Sequence, residues 1–372
     1  MFVLENKPIL YSLFVFTGSA MGISVKILQS IKSLDSDFKH PIIYSFILFL
    51  SETTGLITYY CYLKKEDMVI NKFEDNFTKK EMNIYLISIP SIFDLFSSCF
   101  GILSYENLAA SITTMFDGGN TIGVFLLSIF FLKNKHSKHN FFGVCLLIIG
   151  LFFISLSAIN DDQEQSKGLK ETIFGIIFCI LCNIFTSFHA ISEEYLLKTR
   201  KCHPIKLLGF EGLFGSIFSI ILMFFFSFIQ FVKYFEFICI KDQNGNLYIE
   251  NFFFAFNQII NKKIILFIIV FQFFVLIVYN YCYITITNVA NATSNIVLYN
   301  LTSLFIWIFF LLPIDKKNQE KFGIFQCIGF LILIFGVCIY NELLFSRKKY
   351  FELKKTENPN DDLELTDGPI IV

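Results

Sequence analysis

The sequence predicts an all-α membrane protein with ten transmembrane helices in a five-plus-five inverted repeat. Three observations support this fold class: the apolar composition, ten apolar runs of membrane-spanning length, and sequence similarity between the two halves. The 372 residues are 55% hydrophobic and 16% charged, with a mean hydropathy of +0.61. A soluble domain carries about 25% charged residues. Fifty Phe residues exceed what one water-soluble core can bury, so we expect lipid to solvate many of them.

Charge and cysteine content narrow the classes of partner and cofactor. The net charge of −1 indicates no nucleic-acid partner. Most of the ten Cys lie inside apolar runs, where thiols act as small packing groups. Cys179 and Cys182 form a C-x-x-C, but no second ligand pair accompanies it. We therefore expect no metal and no cofactor.

Ten apolar runs are long enough to cross a bilayer, which takes about 20 helical residues for about 30 Å of hydrocarbon. The breaks predicted at Tyr105–Asn107 and Asn288 are so short that each must join a tight antiparallel hairpin. The predicted spans, numbered one to ten, are Ile9–Gln29, Ile42–Leu63, Ile84–Ser104, Leu108–Leu132, Phe141–Ile159, Leu169–Leu197, Leu207–Val232, Ile264–Thr287, Val289–Pro313 and Phe322–Phe345.

The distribution of Lys and Arg predicts that both termini are cytosolic. With a cytosolic N-terminus, the cytosolic segments hold 18 of these residues and the opposite segments hold 11, and positive charge is enriched on the cytosolic side. Residues 1–159 then form a first five-helix repeat and residues 168–345 a second. Residues 346–372 turn polar and acidic, which predicts a disordered cytosolic tail.

Matching features recur in the two halves. Gly143 and Gly150 in span five are seven residues apart, as are Gly329 and Gly336 in span ten. Because each half holds an odd number of helices, the repeats must be inverted relative to each other, a plan found in transporters. Two further pairs of segments align: Phe125–Leu132 with Ile306–Pro313, and His40–Pro41 with His203–Pro204.

Two motifs carry a resemblance to a known family. They are HP-x4-G-x-EGLFG at His203–Gly215 and IGFLIL-x2-G-x3-YN at Ile328–Asn341. With them, the chain resembles the drug/metabolite transporter superfamily, specifically the solute carrier 35 group, subfamily F, in its member-six-like branch. The chloroquine-resistance transporter is a more distant relative. Further matching positions are Thr17–Ser19, Lys26, His40–Pro41, Ser51–Glu52, Pro90, Asp94, Met115, Gly118 and Glu193–Glu194.

The resemblance implies a ten-helix carrier, not an enzyme, that resides in an endomembrane such as the lysosome, vacuole or Golgi. Across the superfamily, substrates include nucleotide sugars, phosphorylated metabolites, thiamine-like cations and drugs. The resemblance also implies basic or charged residues in the middle of spans four and nine. This chain instead has Asp117, Asn295, Tyr299 and Thr302 there.

Charged residues inside spans are candidates for function because they are costly to place in lipid. Glu52, Asp94 and Asp117 lie nearest the predicted mid-membrane, as substrate-binding or coupling groups or as members of buried ion pairs. Lys26 either binds an anionic group or neutralises one of the acids. Nearer the cytosolic end lie three interfacial or structural candidates that could pair with nearby Lys and Arg: Glu193, Glu194 and Glu211.

Two spans carry polar stripes at helical spacing. Such a stripe either lines a wet cavity or donates hydrogen bonds to a neighbouring helix. In span six the stripe comprises Asn183, Thr186, Ala190 and Glu193, with His189 four residues before Glu193. The span-nine stripe is long, which favours a cavity; its members are Asn288, Asn291, Asn295, Tyr299 and Thr302.

The sign of the buried charge predicts the substrate class. A phosphate needs several Arg or Lys in the cavity, whereas this chain offers one deep lysine and three deep carboxylates. We therefore expect a small cationic or zwitterionic substrate, with carboxylates that also take up protons. A nucleotide-sugar-like anion is the alternative within carriers, and a non-transporting membrane scaffold or regulator is the alternative of another class.

Overall fold

A computed structural model of the chain describes residues 7–64, 80–81, 83–132, 137–160, 168–201, 203–230, 239–242, 245–290 and 292–340. Within these ranges, eight helices are long and apolar enough to cross a membrane. Two shorter apolar helical segments follow, Leu298–Leu311 and Ile324–Tyr340. The chain is therefore a multi-pass, all-α membrane protein. The predicted tail, residues 346–372, lies outside the described residues.

The helices and strands are numbered in chain order. The helices are α1 Lys7–Gln29, α2 Pro41–Thr58, α3 Ser88–Asn107, α4 Ala110–Phe116, α5 Asn120–Leu127, α6 Lys138–Asn160, α7 Leu169–Thr199, α8 Pro204–Ser227, α9 Phe252–Asn261, α10 Lys263–Ala290, α11 Ala292–Leu311 and α12 Ile324–Tyr340. The strands are β1 Lys32–Ser33, β2 Ser36–Asp37, β3 Lys80–Glu81, β4 Arg200–Lys201, β5 Ile240–Lys241 and β6 Leu247–Tyr248.

The short strands mark the two ends of the helical bundle. β1 pairs with β2 and β5 with β6, both antiparallel, and β3 pairs with β4 in parallel. Since successive spans alternate in direction, the β1–β2 and β5–β6 pairs lie at one end and the β3–β4 pair at the other. We call these ends the β1–β2 face and the β3–β4 face.

Two predicted helix breaks are wrong by a few residues. α3 runs through Tyr105 to Asn107, and the chain becomes extended at Leu108, with φ −117° and ψ 166°. α10 continues through Asn288 to Ala290, and α11 begins at Ala292. A helix satisfies all its backbone groups internally, which favours continuing it until the chain has to turn.

Span four is not one continuous α-helix. A 3₁₀ turn over Asp117–Gly119 separates α4 from α5, and a π-helical turn over Ser128–Leu132 follows α5. Asp and tandem Gly are poor helix formers, which accounts for the tighter turn. A Cβ on Gly118 would lie 2.8 Å from the Leu333 side chain. The interruption therefore places the Asp117 carboxylate at a break in the span.

The sequence does not predict α9, a ten-residue helix between α8 and α10. It is too short to cross a bilayer. Phe254, Ala255 and Gln258 are buried on one side, whereas Phe253 and Phe256 are exposed. α9 therefore covers the β1–β2 face with an amphipathic helix.

The helices pack in specific pairs: α6 with α12, α2 with α8, α3 with α7, α1 with α10 and α4 with α11. The α6–α12 pair meets at glycines. A Cβ on Gly150 would lie 2.9 Å from Gly329 O, and one on Gly329 would lie 2.8 Å from Gly150 O. About two helical turns further along α12, a Cβ on Gly336 would lie 3.1 Å from Gly143 O. Small residues at helix contacts let backbones approach closely.

Candidate functional site

A small cavity lies where α1, α3, α4, α10 and α11 converge. About 10 Å³ of it admits the centre of a water molecule, on the order of what one water needs. Three tyrosines, three hydroxyl side chains and three non-polar residues line it: Tyr105, Tyr279, Tyr299, Thr114, Thr302, Ser303, Gly18, Met21 and Ile306. The lining is thus aromatic and hydroxyl-rich.

Asp117 is attached to this cavity through Tyr299. The Tyr299 hydroxyl donates a hydrogen bond of 2.9 Å to Asp117 Oδ2. Beside it, Ser303 Oγ donates to Thr114 O at 3.0 Å and ties α11 to α4. The helix break at Asp117–Gly119 and the span-nine stripe therefore meet at the cavity. We call the lining residues together with Asp117 the tyrosine cavity.

Part of the span-nine stripe falls outside the description. Asn291 lies outside the described residues, as do the side chains of Asn288 and Asn295. The described members, Tyr299 and Thr302, both line the tyrosine cavity.

The Lys26 ammonium is bound by two backbone carbonyls near the end of α3. It donates to Tyr105 O at 2.5 Å and to Leu108 O at 2.6 Å. These carbonyls lie at the end of α3, where backbone acceptors lack intrahelical partners. Its positive charge also acts on Glu106, which the sequence did not single out. Lys26 therefore fixes the turn between α3 and α4 in place.

Glu52 and Asp94 form a second site with His189, Glu193 and Glu211, which we call the carboxylate–histidine cluster. The charges of all four of these partners act on Glu52. His189 Nε2 lies 3.6 Å from Glu211 Oε2. Counting residues from the helix ends at about 1.5 Å each, the cluster occupies the half of the bundle nearer the β3–β4 face. Asp117, in the tyrosine cavity, lies nearer the opposite face.

Glu211, an interfacial or structural candidate from the sequence, lies beside His189. Its side chain is buried, and its nearest charged partner in the described part of the chain is His189, not a Lys or Arg. Lys206, one expected partner, lies instead over the Tyr59 ring at 5.6 Å. Glu193 likewise faces the cluster, whereas the charge of Glu194 acts on Tyr340 of α12. The three acids of the sequence prediction therefore divide between two environments.

The span-six stripe mostly bonds to neighbouring helices. Asn183 Nδ2 donates to Phe116 O at 2.9 Å, and the hydroxyls of Thr186 and Ser97 lie 2.5 Å apart. These bonds connect α7 to α4 and α3. Asn183 and Thr186 thus bond to neighbouring helices, while His189 and Glu193 belong to the cluster.

Two buried networks at the β1–β2 face were not found from the sequence. In the first, His40 Nδ1 lies 2.5 Å from Glu250 Oε1 and His40 Nε2 lies 2.9 Å from Gln258 Oε1. In the second, Ser111 and Gln326 surround Glu320: Ser111 Oγ donates to Glu320 Oε2, and Gln326 Nε2 donates to Ser111 Oγ at 2.7 Å. Glu250 and Glu320 lie in polar connections outside the apolar runs, where a charged residue carries no signal of burial.

The family is identified by comparison with known proteins. The sequence profile described as solute carrier family 35, subfamily F, matches residues 14–342. The chain belongs to solute carrier family 35. Membership in subfamily F confirms the resemblance stated from the sequence motifs, and it points to a transporter rather than an enzyme.

Individual relatives of this family 35 protein agree with that placement. Solute carrier family 35 member F6 of Rattus norvegicus is 24% identical over 344 residues, covering 90% of this chain and 88% of the relative. The Homo sapiens protein of the same name is 24% identical over 340 residues, with the same coverage. A UDP-xylose and UDP-N-acetylglucosamine transporter of Danio rerio is 23% identical over 150 residues, covering 37% of this chain and 45% of the relative.

A solved crystal structure shares the fold. It superposes with a TM-score of 0.51 at 9% sequence identity, covering 91% of this chain and 98% of that chain. At this identity the similarity speaks for the fold alone.

Proposed function

We propose that this protein is a secondary-active transporter that carries a small cationic or zwitterionic metabolite by alternating access. The observation that carries the proposal is the Asp117–Tyr299 hydrogen bond at a cavity walled by three tyrosines. A carboxylate attracts a positive charge, and tyrosine faces attract cations through their π-electrons. Hydroxyls of Thr114, Thr302 and Ser303 can orient the rest of the substrate.

The state of Lys26 argues against an anionic substrate. A phosphate requires cations that are free to bind it. The Lys26 ammonium is instead held by two backbone carbonyls. The partial similarity to the Danio rerio nucleotide-sugar transporter favours the alternative of a nucleotide-sugar or phosphorylated-metabolite antiporter. Charge at the tyrosine cavity favours the cationic substrate.

Alternating access is supported by the packing pattern of the spans. In span numbers, the pairs are five with ten, two with seven, four with nine, three with six, and one with eight. Exchanging the two halves replaces each span by its counterpart five positions away: one by six, two by seven, and so on. This exchange leaves the first three pairs unchanged and converts the pair three–six into eight–one, and the reverse. Two inverted five-helix repeats, residues 1–159 and 168–345, would produce this pattern.

The small size of the tyrosine cavity is consistent with a closed conformation of a carrier, intermediate between the two conformations that open to either side of the membrane. A space for about one water cannot hold a metabolite. Substrate entry therefore requires α1, α3, α10 and α11 to separate, as rocking of one repeat against the other would achieve. We place both termini in the cytosol on the Lys and Arg distribution. We place the protein in an endomembrane, such as that of the lysosome, vacuole or Golgi, by analogy with its family.

Proteoliposome uptake with purified protein tests the proposal. The panel contains amines, amino acids and short peptides beside nucleotide sugars and phosphorylated sugars, at about pH 5.5 and about pH 7.4, on either side of the range in which histidine changes charge. Saturable uptake of a cationic or zwitterionic compound that is lost in Asp117→Asn supports the proposal. Uptake confined to phosphorylated compounds supports the antiporter, and folded protein that transports nothing supports a scaffold or regulator.

A further inference from the structure

The α2–α8 contact is close at Gly212, beside Glu52 of α2 and next in sequence to Glu211. A Cβ on Gly212 would lie 2.5 Å from Thr53 N and 2.7 Å from Glu52 Cβ. One turn earlier, a Cβ on Gly209 would lie 2.5 Å from Leu56 N. Gly209 and Gly212 thus let the two helices touch. The two carboxylates therefore enter the same buried layer of the bundle.

Glu211 is buried without full hydrogen bonding. The residue is 3% exposed, and its Oε1 has no hydrogen-bond partner among the described residues. The same holds for Nε2 of His189, which lies 3.6 Å from Glu211 Oε2. A buried charged group left without partners is costly. Glu211 thus faces the imidazole with Oε2 and has Oε1 free to take a further hydrogen-bond partner, such as a proton donor.

Four helices around this pair add further ionisable groups. α2 contributes Glu52, α3 contributes Asp94 and α7 contributes Glu193 beside His189. On α10, the Tyr283 hydroxyl interacts electrostatically with Glu193, Glu211 and Asp94. Four carboxylates and a single imidazole thus interact electrostatically in this layer. Ionising all of them together in a low-dielectric layer is strongly opposed by their mutual repulsion.

The nature of this partner follows from the space and the geometry. Within the described residues, no group of three or more His, Cys, Asp or Glu side chains converges as metal ligands would. At Gly212 the α2–α8 contact is so close that an added Cβ would lie 2.7 Å from Glu52 Cβ, so an organic cation does not fit at this contact. Protons need no added volume, and both carboxylates and imidazole accept them.

We propose that the carboxylate–histidine cluster is a proton-binding site, separate from the tyrosine cavity, that couples transport to a proton gradient. This inference rests on the proposed carrier function. A proton from water on one side binds His189 or a carboxylate and relieves repulsion between α2, α3, α7 and α8. The same proton leaves to water on the other side once the repeats have rocked. No covalent bond other than the transferred N–H or O–H bond forms or breaks.

Infrared difference spectroscopy of the full chain in lipid nanodiscs tests the site without a transported substrate. Spectra recorded at about pH 7.4 and about pH 5.5 report the carbonyl band of carboxyl groups that take up protons. We expect a clear loss of this band in Glu52→Gln and in Glu211→Gln, and a change in the imidazole bands in His189→Gln. The matched control is Glu194→Gln, the neighbouring acid on α7 whose charge acts on Tyr340 and not on Glu52, and this variant should retain the full cluster band.

The variants also separate a proton site from a structural role. Size-exclusion profiles and melting curves identify any variant that misfolds, and Asp94→Asn and Glu193→Gln then replace it. An unchanged carbonyl band in all folded cluster variants would overturn the proposal. If the band behaves as expected and the uptake panel finds no transported compound, the carrier function fails and the proton site stands. If uptake depends on Asp117 but is identical at both pH values, the coupling fails and the carrier stands.

Discussion

His40 and Glu250 form a short, fully buried contact that joins two distant parts of the chain. His40 Nδ1 lies 2.5 Å from Glu250 Oε1, and both side chains are 0% exposed. The other carboxylate oxygen of Glu250 accepts from Ile42 N at 3.0 Å. Glu250 thus caps the first turn of α2, where negative charge is favourable. This contact therefore connects the start of α2 to the loop that precedes α9.

We expect Glu250→Ala to destabilise the protein strongly. Removing one partner of a buried polar or ionic pair costs about 3–5 kcal/mol, because His40 and the amide of Ile42 lose their acceptor. Thermal unfolding in detergent, followed by fluorescence-detected size exclusion, measures the effect. Lys262→Ala is the matched control on the same face: its exposed ammonium donates to Lys32 O, and surface changes usually stay within about 0.5 kcal/mol. Equal melting temperatures for the two variants would contradict the prediction.

Lys26→Met tests whether the lysine holds the α3–α4 turn or the substrate. Met keeps much of the side-chain volume but leaves Tyr105 O and Leu108 O without their donor. Hydrogen bonds from charged groups contribute about 1.5–3 kcal/mol each, so we expect a lower melting temperature. Cationic or zwitterionic uptake, measured at a temperature where the variant is folded, should persist. Normal stability with selective loss of nucleotide-sugar binding would instead support the anionic alternative.

The positions of the spans could be predicted because apolar run length and the spacing of small residues are local signals. Gly143 and Gly150 were noticed through their shared seven-residue spacing with Gly329 and Gly336, and the structure places all four at the α6–α12 contact. The exact breaks could not be predicted, because apolar composition is similar on both sides of them. At Asp117 the tertiary contact of Gly118 with Leu333 accompanies a turn that composition alone does not specify.

The candidate sites show the same limit. Glu52, Asp94 and Asp117 stand out in the sequence because charge inside an apolar run is rare, and His189 stands out because it accompanies a polar stripe at helical spacing. Which of them meet depends on helix rotation and on the α2–α8 glycine contact, so the separation of Asp117 from the other three needed the structure. Glu250 carries no such signal, since a glutamate in a polar connection is ordinary until the fold buries it.

Gly329→Ala tests the closeness of α6 and α12. An added Cβ would lie 2.8 Å from Gly150 O and 2.9 Å from Ile154 Cγ1, so the helices must move apart. Overpacking of this kind costs about 1–3 kcal/mol. Gly101→Ala on α3 is the matched control, because its Cβ would meet only Cys182 Sγ, at 3.4 Å. Melting curves should show a loss of stability for Gly329→Ala alone; equal losses would mean that helix propensity, not contact, decides.

Asp117→Asn and Tyr299→Phe distinguish charge from hydrogen bonding in the tyrosine cavity. Asn keeps the shape of the side chain and an acceptor for the Tyr299 hydroxyl but removes the negative charge, whereas Phe keeps the ring and the charge and removes the donor. For a cationic compound found in the uptake panel, we expect Asp117→Asn to weaken binding at least about tenfold, equivalent to about 1.4 kcal/mol. Tyr299→Phe should weaken it by about two- to tenfold, since one neutral hydrogen bond contributes about 0.5–1.5 kcal/mol. Ligand-induced thermal shifts at several concentrations give both affinities. If Tyr299→Phe has the larger effect, the tyrosine hydroxyl binds the substrate directly and Asp117 only positions it.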